Sequence, residues 1–298
     1  MTTAPIAWIG AVVTIAATLV GLCVLIFSRQ AVQHTTLRAS WWWALLAFVA
    51  WSAAALVVEC LTESGRLPWL GPVSFAACAL GLCPIIAVIG AKRPQHSAWN
   101  FVVLSLWAIV ALPAAEALFL RFGQQPSLGP GRIWFLRLLI LLGPINFVPT
   151  RYWLASLLVA AGQLIAFGAE TKLPVLLPGL SAAAFGLVVC VLGMLAALLA
   201  FGRTATRANP FDRLWADFRD SFGLFWALRV QERVNAAAKQ YGWDLELTWQ
   251  GFRQPGNAAP LAALPPELER PLSANLKGLL RRFVTSAWIA KRRETPLD

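Results

Sequence analysis

Charge is what this 298-residue chain has least of: 13% of its residues are Asp, Glu, Lys or Arg, against 58% hydrophobic ones, and its mean hydropathy is +0.65. Soluble domains carry about 25% charged and about 45–50% apolar residues, so this balance excludes a single large water-soluble core. Histidine is nearly missing, with His34 and His96 alone. That excludes paired axial ligation of a haem between helices and a His-Glu-x-x-His protease centre. All the aspartates, Asp212, Asp217, Asp220, Asp244 and Asp298, lie in the last third, which removes an intramembrane aspartyl dyad. There is no Walker A loop, no nucleophile elbow and no dinucleotide fingerprint. The expectation is a protein that is not an enzyme and needs no cofactor or metal. Cys23, Cys60, Cys78, Cys83 and Cys190 never take the Cys-x-x-Cys spacing of zinc or redox sites and read as small buried apolar residues.

Hydrophobic residues come instead in long blocks. Crossing about 30 Å of hydrocarbon takes about 20 apolar residues as a helix, the form that satisfies its own backbone hydrogen bonds. Seven blocks qualify, at about 5–27, 41–61, 72–91, 99–120, 133–148, 152–169 and 177–201. The first lacks the basic residues that precede a cleavable signal, because positions 1–5 hold no Lys or Arg, and is read as a retained span. The fifth and sixth are short and separated by Pro149, Thr150 and Arg151, so they either span or form a re-entrant hairpin. The predicted fold is an all-α polytopic membrane protein: a bundle over residues 1–201 and a small cytoplasmic α or α+β domain over 202–298.

Lys and Arg favour cytoplasmic loops. Arg29, Arg38, Lys92, Arg93 and Arg151 fall on one side, and Arg66, Arg121, Arg132 and Lys172 on the other. The basic tail, which begins with Arg203 and Arg207 close to the seventh block, tips the balance. An outside N-terminus and a cytoplasmic C-terminus in a plasma (inner) membrane follow. Trp8, Trp41, Trp42, Trp43, Trp69, Trp99, Trp134 and Trp153 sit near predicted span ends, where indole rings prefer the headgroup level.

The tail has soluble-type punctuation. Asn209 as N-cap, Pro210 at the first helical position and Asp212 in the first turn announce a helix that ends at Gly242. Phe211, Leu214, Trp215, Phe218, Phe222 and Phe225 recur on it at three and four residues, an interaction stripe needing an apolar cover: the bilayer interface or the rest of the tail. Trp243, Leu245, Leu247 and Trp249 then alternate with polar residues as a strand. Its partner is a second copy, another protein, or a hairpin arm near 251–253. A last helix near 273–290 and its flank carry Lys277, Arg281, Arg282, Lys291, Arg292 and Arg293, expected to meet anionic lipid headgroups. Nucleic acid is not expected, since Glu267, Glu269 and Glu294 dilute the patch.

Inside the predicted spans the candidate chemistry is an ionisable cluster, Glu59, Glu116 and Arg137, at similar depth under the predicted topology. It reads as a ligand site, as an interhelical ion pair, or as side chains snorkelling to the headgroups. Asn146, Gln163, Pro113 and Pro144 add polar or helix-breaking character at membrane depth. Two functions remain open: a sensor, scaffold or assembly factor acting through the tail, and a small-molecule or ion transporter using the Glu/Arg cluster.

Overall fold

The computed structural model describes residues 4–61, 67–95, 97–122, 124–168, 180–202, 209–257, 261 and 264–294. Five helical stretches are long and apolar enough to cross a membrane: Trp8–Val32, Arg38–Leu61, Leu70–Ile89, Trp99–Phe119 and Ala182–Gly202. They belong to α1 (Ala4–Val32), α2 (Arg38–Leu61), α3 (Leu70–Ala79) with α4 (Cys83–Ile89), α5 (Trp99–Phe119) and α8 (Ala182–Gly202). The architecture fits an all-α membrane protein. The fifth and sixth predicted blocks become α6 (Pro130–Phe147) and α7 (Trp153–Ala166), of 18 and 14 residues. Arg132, Arg137 and Asn146 dilute the apolar content of α6, and α7 is short. The predicted boundaries at 169 and 177, and Arg66, His96, Lys172, Arg203 and Arg207, lie outside the described residues.

The surface of the helices is oily. Phe119, Phe101 and Trp8 are 83%, 74% and 72% exposed, alongside many exposed Leu, Ile and Val residues, an apolar surface far beyond the patches that water-soluble monomers tolerate. Inside, small residues let backbones approach. α7 and α8 pack through Gly162 and Gly186, where a Cβ on either would collide with the other's carbonyl. Between α3 and α4 a tight turn, Leu80–Leu82, precedes Pro84, which has no N–H to give. Gln163 of α7 donates its Nε2 to the Gly81 carbonyl beside this break, at 2.8 Å.

Residues 209–294 build a second core. Asn209 caps α9 (Pro210–Tyr241), its side chain accepting from Phe211 N–H at 2.9 Å, and the helix ends on Gly242 in the left-handed region. Two short strands, β1 (Glu246–Leu247) and β2 (Phe252–Arg253), pair antiparallel, and α10 (Pro266–Leu280) and α11 (Ser286–Glu294) follow. Phe218, Phe222, Leu247, Phe252, Leu272 and Val284 are fully buried together, and Leu37, Val88 and Ala91 from the end of the bundle complete the cluster.

The structure chooses between the two covers open to the tail stripe, and it shortens the tail strand. The aromatic stripe faces inward, covered by β1, β2, α10 and α11, so Phe211, Leu214, Trp215, Phe218 and Phe222 are core residues. Phe225 is only half-buried, and Trp226 takes its place, because α9 breaks at Gly223 (φ 75°, ψ −172°) and the helical phase shifts. The strand is shorter than the alternation over 243–249 suggests, although Leu245 and Leu247 do point inward. Its free edge is closed: the Asn235 side chain donates to Leu247 C=O at 2.9 Å and accepts from Leu247 N–H at 2.7 Å. On the other edge, Phe252 N–H donates to Asp212 at 2.8 Å and Phe252 C=O accepts from Leu261 N–H at 3.0 Å.

Candidate functional site at the tail–bundle junction

The loops that join helices at one end of the bundle all reach the tail. Between α1 and α2, Thr35 bridges Val284, Thr36 N–H donates to Phe283 C=O at 2.8 Å, and Thr285 N–H donates to His34 C=O at 2.9 Å. After α4, Arg93 N–H donates to Arg282 C=O at 2.8 Å, and Trp226 of α9 gives its indole N–H to Val88 C=O at 3.0 Å. Between α6 and α7, Trp249 donates to Pro149 C=O at 2.9 Å. Such backbone and indole bonds fix register between segments far apart in sequence, since each buried group left unpaired costs about 1–3 kcal/mol.

The centre of the junction is Asn146, in the last turn of α6 and fully buried. The break at Gly223 removes helical pairing from the neighbouring backbone, and Asn146 supplies it: Nδ2 donates to Phe222 C=O at 3.3 Å and Oδ1 accepts from Phe225 N–H at 3.1 Å. Gly223 is required twice over. Its φ of 75° suits glycine, and a Cβ there would strike the Asn146 amide.

A charged chain flanks this contact. Arg151, between α6 and α7, meets Asp217 at 3.1 Å and Asp220 at 3.5 Å, and Asp217 also accepts from Arg292 Nε at 2.8 Å. Asp220 is in turn paired with Arg219 at 2.7 Å, whose Nη1 donates to Trp249 C=O at 2.6 Å. Burial works against both guanidiniums that meet Asp217. It pulls Arg292 below its ordinary value, with Asp217 opposing and Arg151 adding repulsion. Arg151 ends above its ordinary value, because against its burial stand Tyr152 and two carboxylates rather than one. Buried pairs of this kind cost desolvation and contribute chiefly to a defined geometry, while breaking one leaves an uncompensated charge.

The residues singled out from sequence lie at both ends. Glu59, 7% exposed, accepts from Ser181 N–H at 2.8 Å at the start of α8. Glu116 takes a bidentate pair from Arg132 at 2.9 and 3.1 Å, and Arg137 lies over the Trp134 ring at 5.3 Å. Among the described contacts, Arg132 rather than Arg137 takes Glu116, and Glu59 bonds backbone. Of the basic residues of the last helices, Lys277, Arg281, Arg282 and Lys291 are exposed. Arg292 is turned inward to Asp217 and stacks on Trp288 at 3.7 Å, and the side chain of Arg293 lies outside the described residues. Sequence reasoning missed the Asn146–Gly223 contact. The signals were a glycine in the middle of an aromatic-rich helix and a buried amide at a helix end, which only a fold can connect. Comparison with protein-family models, with curated protein sequences and with solved structures finds no match.

Proposed function

We propose that the chain is a seven-crossing integral protein of the plasma membrane, with its N-terminus outside and its tail in the cytoplasm. Its role in this reading is that of a non-enzymatic sensor or scaffold, in which the helices set the position of the tail. Three loops of matching parity meet one tail, the pattern that an odd number of crossings requires. At about 27 Å and 21 Å, α6 and α7 are short for hydrocarbon about 30 Å thick. Support for their crossing comes from their ends: Arg132 of α6 meets Glu116 at the end of α5 away from the tail, Asn146 meets the tail, and α7 follows α8 by way of Gly162 and Gly186. The tail division at about residue 202 and its cytoplasmic side belong to the same proposal, as do the exposed Lys277, Arg281, Arg282 and Lys291 as contacts for anionic headgroups.

The observation that carries the role is Asn146 seated in the break of α9. A shift of α6 moves the only side chain described as bonding both Phe222 C=O and Phe225 N–H, so movement among the helices reaches the tail as a gain or loss of fixed backbone pairing. Transport draws less support, since Glu116 is paired with Arg132 and Glu59 bonds the Ser181 backbone.

The test uses the full-length chain in its own membrane, with a photo-crosslinking residue at exposed Leu228 or Tyr241 of α9. A discrete partner is expected to crosslink to the native chain, with yield falling severalfold in Asn146→Leu while the variant remains membrane-inserted. A yield indifferent to Asn146→Leu, or solute flux through liposomes that depends on Glu59 or Arg137, would overturn the reading.

A further inference from the structure

A cavity of about 570 Å³ opens where the tail-side ends of α2 and α5 diverge. Its lining is graded. Arg38, the first residue of α2, Arg93 after α4, and Ser97 and Asn100 at the start of α5 stand at the rim, and Thr35 and Thr36 add to the polar side. Trp42, Trp43 and Leu46 form the wall that runs along α2 toward mid-bundle, Leu46 lying about 12 Å below Arg38 at 1.5 Å per residue. Trp43 gives its indole N–H to Asn100 Oδ1 at 3.0 Å, which fixes the wall and leaves the Asn100 amide nitrogen to donate. Among the described residues no Asp or Glu lines the cavity, and neither Arg38 nor Arg93 has a carboxylate partner.

We propose that this cavity is a binding site for one anionic glycerophospholipid, its phosphate held by Arg38 and Arg93 and its upper acyl chain laid along Trp42 and Leu46. The inference rests on the bilayer placement proposed above and adds to it a built site where that reading offers a diffuse basic surface. Three features select a lipid over other anions. The charge is of one sign and guanidinium forks match phosphate oxygens. Polar and apolar lining are ordered along the helix axis as headgroup and chain are ordered along the membrane normal. Trp42 and Leu46 are half exposed on the outer face of α2, so the site is open from the side where lipid lies. The Arg93 N–H bond to Arg282 C=O also joins the rim to the tail, so an occupied site would hold the α4–α5 loop against α10 and its following turn.

The test is native mass spectrometry of the full-length chain, delipidated in mild detergent and titrated with phosphatidylglycerol or phosphatidylcholine. One phosphatidylglycerol is expected to be retained per chain in preference to phosphatidylcholine. Arg38→Gln with Arg93→Gln is expected to weaken that retention about tenfold or more, each basic residue near a headgroup contributing about 1 kcal/mol. Leu46→Gln, on an exposed position that does not touch the charges, is expected to weaken both lipids together, and it keeps the proposal testable should the double variant misfold. Equal retention of the two lipids, no effect of either variant, or displacement of the bound lipid by 10 mM inorganic phosphate would overturn the site. A chain that stays monodisperse without detergent would instead overturn the membrane reading beneath it.

Discussion

The two cores of this protein are made of different residues. The bundle interior mixes small residues, among them Ala55, Ala79, Ala87, Ala114, Ala184, Cys83 and Cys190, with mainly aliphatic large ones, and Gly162 and Gly186 bring two of its helices together backbone to backbone. The tail interior is aromatic, with Phe218 stacked on Phe222 at 4.8 Å and both set edge-on to Phe283 at 5.3 Å. Under the proposed membrane placement, the difference follows from the solvent outside each core. Helices surrounded by hydrocarbon gain nothing by hiding apolar area from it, so they associate by close approach and dispersion. A segment in water gains about 25 cal/mol per Å² of apolar surface removed, and aromatic rings carry the most area per residue.

The comparison can be broken from the tail side first. Phe218→Ala removes a fully buried ring and is expected to destabilise the tail by about 3–5 kcal/mol. Limited proteolysis of membranes should then clip residues 209–294 while the helices stay protected, and co-loss of both regions would mean that the two cores are one. Asn146→Ala comes next. It orphans Phe222 C=O and Phe225 N–H and is expected to cost about 2–4 kcal/mol for the two groups, read as faster hydrogen exchange confined to the middle of α9. In the bundle core the glycine contact is the place to test added volume. Gly186→Ala is expected to cost about 1–3 kcal/mol by pushing α7 from α8, seen as a lower detergent-melting temperature with the tail unaffected. Smallest of all is Glu116→Gln, whose pair with Arg132 is half-exposed, so its loss is expected to leave the detergent-melting temperature almost unchanged. A larger loss there would point to a role for that pair beyond structure.

The long apolar helices were readable because lipid imposes a length and composition that few other environments demand, and Asn209, Pro210 and Gly242 marked the ends of α9 through local backbone chemistry. What stayed hidden was long-range. Periodicity placed Phe225 on the stripe, but a single left-handed glycine two residues earlier rotated the helix and put Trp226 inward. Alternation over 243–249 announced an edge needing a partner, yet nothing local indicated that the side chains of Asn235 and Asp212 would supply it from the same chain. Among the charges, depth alone could not choose between Arg132 and Arg137 for Glu116, because that choice depends on how α6 is rotated against α5. The tail's aromatic stripe was legible as apolar, while its cover was a matter of tertiary packing.

The central claim is that residues 209–294 fold back onto the loops at one end of the bundle, and the bridge between Thr35 and Val284 tests it most directly. Bridged antiparallel residues stand about 4.5–5.5 Å apart at their Cα atoms, within the reach of a disulfide. In a chain whose five native cysteines are replaced, Thr35→Cys with Val284→Cys should oxidise almost completely in the membrane and shift the gel mobility of the monomer. Both thiols remaining reactive to maleimide after oxidant treatment would contradict the docked tail.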